Sequence, residues 1–102
     1  MELNADSVVV RGGSSELPTP GSVFSGAVGD TLEEAAAAVS HGMIRSTTVK
    51  AIESNGGRVV VQPEITRAGV MNNRHVSIIE GRRPTTFSQP IRDPVPKQRR
   101  IR

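Results

Sequence analysis

A small α+β domain, with a mainly antiparallel sheet packed by one or two helices, is what this sequence predicts. Three observations carry the prediction. Apolar residues make up 35% of the chain, with two Phe and no Trp or Tyr. The core must therefore be built from Val, Ile, Leu and Ala, and the first two favour strands. One run near residues 32–39 has strong helix propensity, while short β-branched runs lie on both sides of it. Strand and helix segments do not alternate strictly, which argues against a parallel sheet with crossover helices.

In chain order, "SVVV" (Ser7–Val10) is a β-branched run stopped by Gly12 and Gly13. It reads as a strand that delivers Arg11 to a turn. Residues 12–29 are rich in Gly, Ser and Pro and read as loop, with a short extended piece at "SVFSG". The clearest helix follows. Thr31 and Glu34 fit a capping box, and "LEEAAAAV" supplies propensity and an apolar stripe of Leu32, Ala35, Ala36 and Val39. Gly42 supplies a left-handed stop, and His41 suits the last helical turn. "IRSTTVKAIESNGG" reads as a second, shorter helix capped by Ser46 or Thr47 and ended by Asn55-Gly56. "RVVVQPE" and "RHVSIIE" read as strands, and residues 58–63 are expected to pair with 74–80 as a hairpin.

The last 21 residues hold four prolines and seven Lys/Arg. Prolines at this density exclude a regular helix or a central strand. Residues 1–81 are thus expected to form the compact domain. Residues 82–102 are expected to form an extended basic C-terminal arm, partly docked through Phe87, Ile91, Val95 and Ile101.

Composition narrows the function. No cysteine is present, which removes disulfide scaffolds and thiolate metal sites. With only two histidines, no metal ligand cluster is recognisable. The glycine pairs at 12–13 and 56–57 do not make a dinucleotide fingerprint, so no cofactor is expected. No apolar run approaches membrane-span length, and "MELNADSVVV" lacks the basic start of a secretory signal. A cytoplasmic protein, or one delivered into a target cell, is expected, with no membrane partner.

Charge is unevenly distributed. Residues 1–50 hold three Lys/Arg against six Asp/Glu, and residues 51–102 hold ten against four. Such an asymmetry points to a polyanion partner. In a strand over 74–80, Val76 and Ile78 share one face, with Arg74 and Glu80 at its ends, while His75, Ser77 and Ile79 share the other. With the first pair in the core, His75 stands on the open sheet face beside basic neighbours, in a stretch that also holds Asn73. Imidazole titrates near neutral pH and can act as acid or base. Arg11, Arg45, Arg67 and Arg74 fall at element ends or in loops, and arginine suits phosphate contact and charge stabilisation. "RSTT" (Arg45–Thr48) places hydroxyls beside an arginine at the expected start of the second helix, an anion seat.

The segments "VVVRGG" (Val8–Gly13), "IRSTTVKAIESNGGRVVVQPE" (Ile44–Glu64), "NNRHVSIIEG" (Asn72–Gly81) and "PVPKQRRI" (Pro94–Ile101) resemble small bacterial toxin modules. Such modules stand alone or at the tips of polymorphic toxins. Many resemble the barnase–EndoU–colicin–RelE group of ribonucleases. That likeness implies catalytic roles for His75, Arg74, Arg45 and Thr48, and substrate-binding roles for Arg11, Arg67, Asn73, Arg82, Arg83 and Lys97. It implies metal-independent RNA cleavage through the 2′-hydroxyl, with RNA as substrate and an acidic antitoxin or immunity protein as partner. The sequence departs from that group in offering no second histidine or glutamate base on the sheet. "VVVRGG" and "VFSG" also resemble the arginine strand and serine motif of ADP-ribosyltransferase toxins, with Glu80 as the acid, although 102 residues is short for that fold. The competing expectation is a non-catalytic module, or a subunit of an assembly, that grips nucleic acid or protein with residues 82–102.

Overall fold

The fold is described from a computed structural model of the chain. The structure describes residues 3–12, 23–39, 43–65, 69–83 and 87–88, together with the backbone of 91–92. Its elements are β1 (Val8–Gly12), β2 (Val23–Gly29), α1 (Leu32–Ala37), β3 (Met43–Thr48), α2 (Val49–Ser54), β4 (Arg58–Val61), β5 (Glu64–Ile65), β6 (Met71–Asn72), β7 (His75–Ile79) and β8 (Ile91–Arg92). The protein is a small α+β domain. Its main sheet runs β4-β7-β2-β1-β3-β8, and every pairing in it is antiparallel. β5 and β6 form a separate two-stranded ribbon.

β1 is the centre of the sheet, and its composition explains why. Val9 and Val10 point to opposite faces and both are fully buried. Val9 packs with Val28, Val76, Ile78 and Phe87 beneath Val49 and Ile52 of α2. Val10 packs with Ile44 beneath Ala35 and Ala36 of α1. The two helices therefore cover opposite faces. A fully buried aliphatic side chain of this kind contributes roughly 1.5–3 kcal/mol, so these few contacts supply much of the driving force.

Thr31 caps α1 as expected, although the return bond from Glu34 goes to the amide one residue before the cap. Thr31 Oγ1 accepts from the Glu34 N–H at 3.1 Å, and Glu34 Oε1 accepts from the Asp30 N–H at 2.8 Å. The helix ends at the C-cap Ala38. His41 and Gly42 lie outside the described residues. The expected hairpin also forms, with Arg58–Val61 paired to Val76–Ile79.

Two segments differ from their sequence expectation. The stretch assigned to loop contains β2, whose residues 23–27 pair with β7 and whose residues 27–29 pair with β1. Its glycines are there for close approach. A Cβ on Gly26 would stand 2.5 Å from the Val10 carbonyl oxygen and 2.8 Å from Ile78 Cδ1. One on Gly29 would stand 2.7 Å from the Ala35 nitrogen. Glycine content that reads as loop is here the signature of a strand squeezed between neighbours.

The second correction concerns residues 43–48, which are strand rather than the start of a helix. β3 pairs with β1 over five residue pairs, and the cap of α2 is Thr48, not Ser46 or Thr47. Thr48 Oγ1 accepts from the Ala51 N–H at 3.1 Å, and the carbonyls of Ser7 and Ala5 accept from the Val49 and Lys50 N–H groups at 3.0 Å. The N-terminal segment thus satisfies the first amides of α2. Thr48→Ala is expected to cost about 1 kcal/mol of stability, measurable as a lower urea midpoint with an unchanged slope.

Candidate functional site

The site around His75 is assembled by the long hairpin that spans β4 to β7. The Gln62 N–H donates to the His75 carbonyl at 2.9 Å, extending the β4–β7 ladder by one pair. Pro63 then ends the ladder, and the chain continues into the β5–β6 ribbon. That ribbon is tied to α1, because Asn72 Nδ2 donates to the Ala38 carbonyl at 3.1 Å. These constraints bring Glu64 beside His75.

The imidazole is held at Nδ1, and its Nε2 faces Glu64. His75 Nδ1 lies 2.7 Å from the Gln62 carbonyl oxygen. A carbonyl only accepts, so Nδ1 carries the proton and the Nε2 lone pair is left for chemistry. Nε2 is 3.8 Å from Glu64 Oε1, and the side chains are 15% and 56% exposed. Ser77, on the same face, donates its hydroxyl to Gln62 Oε1. His75 thus lies on the face opposite Val76 and Ile78, which are fully buried. Arg74 adjoins it. The Arg74 guanidinium lies 4.0 Å from Glu34 Oε1 and 3.5 Å from the Val28 carbonyl, and its backbone N–H donates to Asn72 Oδ1. Glu64 was not singled out in the sequence. It lies on the β5–β6 ribbon rather than on the main sheet, and the bend at Pro63 brings it to the imidazole.

The other arginines are elsewhere. Arg11 pairs in register with Arg45, two residues beyond Val9, on the α2 face. Its guanidinium carbon sits 5.4 Å from the centre of the Phe24 ring, which in turn lies 6.0 Å from Phe87. Burial, and then the neighbouring Arg45 charge, lower the pKa of Arg11, while Glu80 opposes them. Arg45 Nη1 reaches the Ser88 carbonyl at 3.5 Å. β3 is three strand spacings from β7, roughly 14 Å, so Arg45 and Thr48 do not join His75. Thr48, moreover, is committed to capping α2. Arg11 and Glu80, partners under the ADP-ribosyltransferase likeness, do meet, but in the interior, at 9% and 3% exposure.

Asn73 is exposed in the turn before β7, and Arg82 and Arg83 are exposed just after Glu80. Arg67 and Lys97 lie outside the described residues. Among the described residues no cluster of three or more His, Asp or Glu could hold a metal, and no helix is long and apolar enough to cross a membrane. Comparison with protein-family models, with curated proteins and with solved structures gives no match for this chain.

Proposed function

We propose that the protein is a bacterial toxin that cleaves RNA without a metal, with His75 as its acid–base group. The observation that supports this reading is the anchored imidazole, with Nδ1 fixed by a main-chain carbonyl and Nε2 3.8 Å from the Glu64 carboxylate. A 2′-hydroxyl attacks the adjacent phosphorus, forming the O2′–P bond as the P–O5′ bond breaks. His75 Nε2 takes the hydroxyl proton and returns it to the departing 5′-oxygen. Glu64 steadies the imidazolium, and Arg74 offsets the charge that develops on the phosphate oxygens. An acidic antitoxin or immunity protein neutralises the activity by charge complementarity.

The second reading is a non-catalytic binding module. It is favoured by Arg82 and Arg83, which are exposed where the basic C-terminal stretch begins. Expression in bacteria separates the two. The nuclease reading expects growth arrest with degraded RNA from the wild type and neither from His75→Ala. Normal growth with intact RNA in both would leave the binding module.

A further inference from the structure

β4 is the outer strand at one end of the sheet. Its pairing to β7 uses alternate residues. Gln62 bonds His75, so Val60 opposite Ser77 and Arg58 opposite Ile79 are the other pairs whose main-chain groups face inward. The N–H and C=O groups of Val59 and Val61 therefore point away from the sheet, and among the described residues nothing pairs with them. Natural sheets protect such an edge or use it to take up a further strand.

The surroundings of this edge select what could pair with it. Val60 is 37% exposed, on the same face as Arg58. At the start of β4, the turn Asn55–Gly57 passes in backbone contact with Gly81, where no side chain fits. Gly56 there adopts φ +84°, which favours glycine. At this crossing a Cβ on Gly56, two residues before Arg58, would stand 3.9 Å from the Arg82 nitrogen, and Arg83 follows in the chain. All three are exposed, and among the described residues none has an ion pair. Glu53, on the nearby α2, is exposed and makes no ion pair with them. Exposed guanidiniums near a strand edge, with no ion pair and no further strand on it among the described residues, fit an anionic partner that is itself extended polypeptide. Phe24 and Phe87 pack against one another in the core, so this corner offers no aromatic platform for bases.

We infer that the β4 edge is the docking site of an acidic, extended segment of a partner protein. The segment adds as a seventh strand through Val59 and Val61, with an acid opposite Arg58 and an apolar residue opposite Val60. The surface does not include His75, so the inference goes beyond the nuclease reading and does not depend on it.

The test uses the full chain and a threonine-rich peptide that carries a glutamate pair and, two positions on, a valine. Amide NMR titration should shift Val59 and Val61. Arg58→Glu with Arg82→Glu should weaken binding at least tenfold, and raised salt should weaken the wild type in the same direction. A peptide N-methylated at alternate positions should not bind. The inference is overturned if the shifts centre on His75 and Ser77, or if N-methylation changes nothing. It is equally overturned if an RNA oligonucleotide, but not the peptide, engages the three arginines. Concentration-dependent dimerisation through β4 would assign the edge to a second copy of this chain instead.

Discussion

Glu80→Gln is expected to destabilise the fold by about 3–5 kcal/mol, the cost of removing one partner from a buried ionic group. Glu80 is 3% exposed and acts on Arg11, which is itself 9% exposed and register-paired with Arg45. Burial has already lowered the Arg11 pKa, so the charged form is under strain from desolvation before any carboxylate is lost. Phe24 and Phe87 line the same region, and water cannot replace the missing charge cheaply. Small domains hold only 5–15 kcal/mol in total, so a large share of the stability is at stake. Urea unfolding should show a much lower midpoint with little change in slope. Glu64→Gln, at an exposed carboxylate, should move the midpoint by less than about 0.5 kcal/mol equivalent. Equal effects from the two substitutions would contradict the placement of charge described above.

The larger functional effect is expected at His75. His75→Ala should lower RNA cleavage by about 10²–10⁴-fold, the range for a positioned acid–base group. Under the nuclease reading the loss falls on kcat rather than on KM, since that reading has the ring act on the proton in flight. Glu64→Gln should lower the rate less, since Glu64 acts on the imidazolium from 3.8 Å rather than on the substrate. Circular dichroism and urea midpoints of both variants should match the wild type, because neither side chain belongs to the apolar clusters. A His75→Ala protein that cleaves RNA at the wild-type rate would remove the catalytic role.

Several parts of this fold were legible in the residues. Thr31, Glu34 and the alanine run state a helix outright, because capping and propensity are local. The alternation of His75, Val76, Ser77, Ile78 and Ile79 states which side chains are buried, because strand periodicity is local too. β2 was hidden because Gly26 and Gly29 answer to the Val10 carbonyl and to α1, contacts that sequence spacing does not display. β3 was hidden because threonines suit a strand and a helix cap equally well, and Thr48 does both.

The site was partly legible for the same reason. His75 and Arg74 are neighbours in sequence and remain neighbours in the fold. Whether Arg11 and Arg45 share a face with His75 depends on strand order and register across four strands, which no local pattern encodes. Glu64 reaches His75 only through the bend at Pro63 and a ribbon of two residue pairs.

The most direct measurement is the chemistry of the new RNA end. Purified wild-type protein and His75→Ala are each incubated with RNA in excess chelator, and the 3′ terminus of the product is identified. The acid–base account predicts a 2′,3′-cyclic phosphate from the wild type and none above background from the variant. Intact RNA with the wild type, or the same cyclic product at the same rate from the variant, would contradict it.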